Sequence, residues 1–213
     1  MRVLVTGFGP FEDVVDNPSE RVARMLAAEG LHGHEVVCEV LPVSFRRAAA
    51  RLRELLAEPF DAAVLLGAAR GEQAIRLERQ AANRAHPGLA DGDGELPPDG
   101  PLDPQAPDVL RTSLPVEELA AAVAEAGIPA RVSEDAGGYV CNAAYFAVLS
   151  CLRTAGRGIP CLFVHLPPYE HAAAGSSDGR LPLSVQAEAV RRILRGICQR
   201  QDSPAGAIEP PEP

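Results

Sequence analysis

Lysine is absent from the 213 residues: the Lys and Arg total of 20 is all arginine, set against 29 acidic residues for a formal charge of −9. A Walker-type phosphate loop, a Schiff-base lysine and a Ser-Lys dyad each need the missing amine, so all three are excluded. A basic face is missing too. The arginines are scattered from Arg2 to Arg200, which argues against nucleic acid and anionic membrane surfaces as partners. Long apolar runs are also lacking: Val140 to Leu152 is interrupted by Asn142 and Ser150 and falls short of the ~18 to 20 residues that cross a bilayer. The N-terminal MRVLVTGFGPF runs straight into an acidic segment, without the apolar stretch and cleavage site of a signal peptide, so a cytoplasmic location is expected. Five cysteines at 38, 141, 151, 161 and 198 are irregularly spaced and form no C-x-x-C pair. Reduced thiols are expected, with no disulfide framework, metal or cofactor.

What is present suits a globular protein: 46% of the residues are apolar, enough for a sizeable core. The pattern predicts one α/β domain over 1–201, followed by a disordered proline-rich tail at 202–213. Val3 to Thr6 reads as a buried strand, and Asn17-Pro18-Ser19-Glu20 opens a helix with a cap, an N1 proline and a reciprocal acid. Glu35 to Val43 is a strand. Ser44 caps a helix with Phe45, Ala48, Leu52, Leu55 and Leu56 on one face, and Ala62 to Leu66 is a third strand. Ala74 to Ala82 alternates, with Arg76, Glu78 and Gln80 on its polar side. From His86 to Pro115, 7 prolines and 4 glycines exclude a long helix or central strand and predict a surface excursion. Beyond it come a helix from about Val116, a strand at Ala130 to Glu134, a Gly137-Gly138 break, and a helix from about Tyr139 to Thr154. Strand Cys161 to His165 and a helix from Leu183 to Gln199 complete a three-layer sandwich with a mixed, mostly parallel twisted sheet, phosphorylase- or hydrolase-like. There is no internal repeat.

Three residues stand out chemically. Cys141 falls in the first turn of a helix, where free N–H groups and the dipole favour a thiolate, and such thiols titrate at roughly 3.5 to 7.5; it also reads as one more buried thiol. His165 ends a strand at the carboxyl edge of the sheet, where open α/β folds bind ligands. Glu78 either holds the imidazole of His165 or is a solvated strand carboxylate paired with Arg76 or Arg79. Other patterns are weaker. Gly7-Phe8-Gly9 lacks the third glycine of a dinucleotide fingerprint, and Asp91-Gly-Asp93-Gly-Glu95 has Leu96 where a calcium loop needs glycine, leaving a solvated acidic loop. His32 with His34, and His165 with His171, lack metal-ligand spacing.

The segments VLVTGFGPF at 3–11, NPSE at 17–20, LPV at 41–43, LERQAAN at 77–83, SLP at 113–115, GIPARVSEDAGGYVCN at 127–142 and FVHLPP at 163–168 run in the order of a known family. The chain resembles the pyrrolidone carboxyl peptidases, cysteine peptidases of the pyroglutamyl peptidase type I family. The resemblance implies removal of N-terminal pyroglutamyl residues from peptides, with Cys141 as nucleophile, His165 as base and acid, and Glu78 orienting the imidazole. It implies homotetramers, and it assigns Phe8 and Phe11 to the walls that hold the uncharged lactam ring; by composition alone these two read equally as core. Two departures accompany it. Arginines of the family pattern fall on Gly88 and Glu72 here, which leaves Arg84 as a stand-in near the oxyanion. A weakly active or inactive relative that only binds pyroglutamyl peptides, and an unrelated enzyme sharing only the fold, are the alternatives.

Overall fold

The computed structural model describes residues 1–11, 16–169 and 180–202. His171 and the expected tail beyond Asp202 lie outside the described residues. The chain lays down β1 (Arg2–Phe8), α1 (Pro18–Glu29), β2 (Glu35–Leu41), α2 (Phe45–Leu56) and β3 (Ala62–Ala68). Next come β4 (Ile75–Glu78), β5 (Gln80–Ala82), β6 (Val109–Arg111) and α3 (Val116–Ala124). The last elements are β7 (Ala130–Ser133), α4 (Val140–Thr154), β8 (Cys161–Leu166) and α5 (Leu183–Asp202). Six strands form one sheet in the order β2-β1-β3-β8-β4-β7. The first four are parallel; β4 runs antiparallel to β8 and parallel to β7. One face of the sheet packs α1, α3 and α5, the other α2 and α4, because each strand presents apolar residues to both sides and each helix one apolar stripe. The expected three-layer mixed sheet is what forms. No helix among the described residues is long and apolar enough to cross a membrane.

Two sequence expectations change. The alternating segment 74–82 is two strands: at Arg79 the chain leaves the main sheet, its N–H bonding Ser133 and its carbonyl Thr112, and β5 pairs with β6 in a separate ribbon. The period of two continues unbroken through that bend, so it was silent in the pattern. Second, Glu20 does not close a capping box but pairs with Arg24. Asn17 accepts the N–H of Ser19 and donates to the carbonyl of Gly9, while Ser19 Oγ accepts the N–H of Phe8. The start of α1 is thereby stitched to the loop after β1.

The 86–115 excursion lies across α2 and α4, pinned by Asn83 to the backbone of Asp103 and Ala106, and by Ser150 to the Asp103 carboxylate. Its acidic part is exposed at Asp93 and Glu95, as expected of a solvated loop, but not at Asp91. Asp91 is only 6% exposed; it accepts the N–H groups of Phe45 at 2.8 Å, Asp93 at 2.9 Å and Glu95 at 3.0 Å, while Asp93 and Glu95 pair with Arg47 and Arg46. Among the described residues no cluster of His, Cys, Asp or Glu is placed to hold a metal. Burial opposes the Asp91 charge, but those three N–H groups outweigh it and hold the carboxyl below its usual range. Asp91→Ala removes a charged cap and a turn, and is expected to lower stability by about 2 to 3 kcal/mol, roughly 5 to 10 °C in Tm. Because the folded carboxyl titrates below the unfolded one, its contribution is complete above the unfolded value and is lost as pH falls through the folded one. The gap between variant and wild type in thermal melts should therefore close in acid; a gap independent of pH contradicts the capping account.

Candidate functional site

The sheet order reverses around β1: the chain steps outward from β1 to β2, then back across β1 to β3. Such switch points open a crevice at the carboxyl ends of the strands. Here that crevice is a cavity of about 250 Å³ whose lining includes Phe8 and Phe11 after β1, Ala68 to Arg70 after β3, Tyr139 to Cys141 at the start of α4, and His165 on β8.

Cys141 is the second residue of α4, whose N-cap, Tyr139, makes no side-chain cap. The turn before it is set by Gly137, at φ 85°, a backbone state that side chains resist. The thiol sits against bare backbone: a Cβ placed on Gly67 would lie 3.0 Å from Cys141 Sγ and 2.8 Å from the Phe163 ring. His165 is the register partner of Gly67 on the neighbouring strand, so β3 and β8 bring both groups to one mouth. The following residue, Asn142, carries a role the sequence reading missed. Buried, it donates to the carbonyls of Ala82 and Arg84 and accepts the N–H of Ala82, all at 2.8 Å, which fixes the cysteine's helix to β5. A polar side chain on an otherwise apolar helix face was the available signal.

Glu78 is fully buried, and its Oε1 lies 2.7 Å from His165 Nδ1. The same oxygen accepts from Arg76 Nε at 3.0 Å and Nη2 at 2.8 Å. Both sequence readings thus hold in part: the carboxylate meets the imidazole and also pairs with Arg76, but it is not solvated. Burial works against its charge, yet the hydrogen bond from His165 and the charges of His165 and Arg76 hold the carboxyl below its usual range.

Of the two readings of Cys141, the buried thiol is the one its surroundings favour. Burial, reinforced by the negative charge of Glu78, pushes Cys141 up to about 12, against the opposing pull of its own N–H and of Arg76. Apolar walls, which sequence position does not reveal, override the helix terminus. Those surroundings favour the thiol over the thiolate.

Phe8 is 2% exposed; it packs in the core and also lines the cavity. Phe11 is half-buried, 6.3 Å from the ring of Tyr139, with the Arg70 guanidinium 5.4 Å above it. The arginine stand-in is also corrected. Arg84 is exposed and absent from the lining; the cations that border the cavity are Arg70 and Arg76. The remaining cysteines form no disulfide among the described residues: Cys161 and Cys198 are buried, Cys38 and Cys151 half-buried.

An open α/β sheet that gathers a thiol, an imidazole and a buried carboxylate at its carboxyl edge defines a class, that of the cysteine hydrolases. Comparison supplies the family. A model of the pyroglutamyl peptidase family matches residues 1–199. The chain is 36% identical to the pyrrolidone-carboxylate peptidase of Thermococcus onnurineus, over 92% of its own length and 98% of the relative's. It is 38% identical to that of Deinococcus radiodurans over 90% of both. The crystal structure of the pyrrolidone carboxyl peptidase of Fervidobacterium islandicum superposes with a TM-score of 0.86 at 33% identity, covering 93% of this chain and 99% of the other. The chain belongs to the pyroglutamyl peptidase family, cysteine omega-peptidases.

Proposed function

We propose that this protein hydrolyses the bond after an N-terminal pyroglutamyl residue of a peptide, with Cys141, His165 and Glu78 as the working groups. The observation that carries the reading is the 2.7 Å bond from His165 Nδ1 to Glu78, which leaves Nε2 for the cavity that His165 shares with Cys141. With the thiol neutral, its proton passes to Nε2 as Sγ attacks the carbonyl carbon, and the S–C bond forms. Glu78 stabilises the imidazolium. The N–H of Cys141, in the uncapped first turn of α4, supplies a donor for the oxyanion. The C–N bond then breaks, the leaving amine takes the proton from Nε2, and water, deprotonated by the same nitrogen, hydrolyses the thioester and restores the thiol.

Substrate choice follows from the walls. A lactam ring carries no charge, and Phe8, Phe11, Val43 and Tyr139 offer it apolar faces; among the described residues the lining holds no carboxylate to attract an ordinary amino terminus. The same reading takes residues 1–201 as one catalytic domain and includes a cytoplasmic location and a homotetramer, as in the family resemblance. The test is turnover of a pyroglutamyl coumarin amide beside the prolyl analogue. Cleavage of the first and not the second is expected. Binding of pyroglutamyl peptides without turnover would mark an inactive relative, and neither binding nor turnover an unrelated enzyme.

A further inference from the structure

Behind the imidazole stands a line of alternating charge. Arg131, half exposed, donates to Glu72 Oε1 at 2.6 Å; the same oxygen accepts from Arg76 Nη1 at 2.9 Å; Arg76 then holds Glu78, and Glu78 meets His165. Sheet register builds this line. Arg76 is the antiparallel partner of His165 across β4 and β8, and Glu78, two residues on, shares its face of the strand. Arg76 Nη2 also donates to the carbonyl of Asp135 at 2.8 Å, so the guanidinium is fixed from three sides. Glu78 Oε1 receives three donors, while the buried Oε2 has no hydrogen-bond partner among the described residues.

We propose that Arg76 is a positioning residue for the catalytic pair: it holds Glu78 Oε1 against His165 Nδ1 and offsets the charge of the buried carboxylate. This rests on the peptidase reading above. A buried carboxylate facing only an imidazole raises the proton affinity of the ring and so shifts the base toward its protonated form. With a guanidinium on the same oxygen, Glu78 stays ionised, holds the Nδ1–H tautomer, and leaves Nε2 open to accept the thiol proton. The Arg76 guanidinium itself, though burial works against its charge, is held protonated by Glu72 and Glu78. Among the described residues, the titratable and charged groups around His165 are Glu78 and Arg76 from β4, with Cys141 from α4 and Arg70 from the segment after β3 lining the same cavity. Asp135 contributes its carbonyl to Arg76, and its carboxylate accepts from Gly137 N–H.

The test compares Arg76→Gln, Arg76→Lys and Glu72→Gln in the full chain. Two readouts are used: the pH dependence of kcat/KM, and the pH at which the His165 ring signal moves in 13C-histidine NMR without substrate. In Arg76→Gln the imidazolium faces an unbalanced carboxylate and is held more tightly, so the acidic limb and the NMR transition both move up by about one pH unit. Arg76→Lys keeps the charge and returns both close to the wild-type position. Glu72→Gln leaves Arg76 less neutralised and moves both to lower pH. Transitions that coincide in Arg76→Gln and wild type, that shift as far in Arg76→Lys as in Arg76→Gln, or that rise in Glu72→Gln, overturn the proposal. The NMR arm needs no turnover, so it still decides if the chain proves inactive on pyroglutamyl substrates. Thermal melts identify any variant that fails to fold, and the two conservative variants then carry the test.

Discussion

Alanine at position 141 is expected to reduce turnover of a pyroglutamyl coumarin amide by at least about 10⁴-fold, the scale on which hydrolases lose rate when their nucleophile is removed. No other thiol can substitute. Cys161 and Cys198 are buried, Cys151 lines a different cavity between α2 and α4, and Cys38 lines another beside Arg24 and Glu39. Binding should survive, because the aromatic walls are untouched and only one half-buried sulfur is lost. Equilibrium binding of a pyroglutamyl peptide within a few-fold of wild type, together with an unchanged melting curve, separates lost chemistry from lost structure. The raised thiol adds a second readout. Alkylation of Cys141 by iodoacetamide should be slow at neutral pH compared with an activated thiolate and should climb steadily toward alkaline pH. Turnover within tenfold of wild type in Cys141→Ala would move the chemistry to another residue.

The second large effect comes from a residue with no side chain. Gly67→Ala places a methyl carbon 2.8 Å from the Phe163 ring and 3.0 Å from Cys141 Sγ, closer than carbon and sulfur tolerate. Phe163 is fully buried and has little room to retreat, so the thiol and the ring must both shift. A displacement of about 1 Å at the reacting atom can cost 10²-fold in rate, and a fall of that order in kcat is expected. KM should change little, because the ring walls belong to other segments. Overpacking also lowers stability by about 1 to 3 kcal/mol, so rates are to be measured well below the melting transition. A kcat unchanged from wild type would show that the thiol is not held by contact with β3.

Much of this architecture is legible from local pattern. Asn17 and Ser44 announce their helices by side chains that do accept first-turn N–H groups, and the apolar runs of β1, β3 and β8 need no partner to be read as strands. Cys141 and His165 are visible because each sits at the end of an element. What escapes depends on partners distant in sequence. Burial of Glu78 follows from β4 lying antiparallel beside β8, a pairing over 87 residues in the case of the His165 contact. The clamp by Arg76 follows from the same register, although both side chains were correctly placed on one face. Which of the two thiol readings prevails is hidden for a related reason: a helix terminus is a local property, whereas desolvation by surrounding elements is not. The loop cation was sought at the wrong place because counting along the chain cannot show that Arg84 is exposed and outside the lining while Arg70 and Arg76 border the cavity.

The position of β8 has a bearing on biosynthesis. It is the last strand of the sheet to leave the ribosome, yet it is inserted in the middle, between β3 and β4. Until then β3 and β4 each present an open row of backbone donors and acceptors, the kind of edge that recruits other chains. Only when β8 slots in does His165 reach Glu78, so hydrolytic competence and closure of the sheet arrive in one event. A nascent or truncated chain ending before Cys161 would be both inert and sticky, and the appearance of activity during synthesis would time the moment the sheet is complete.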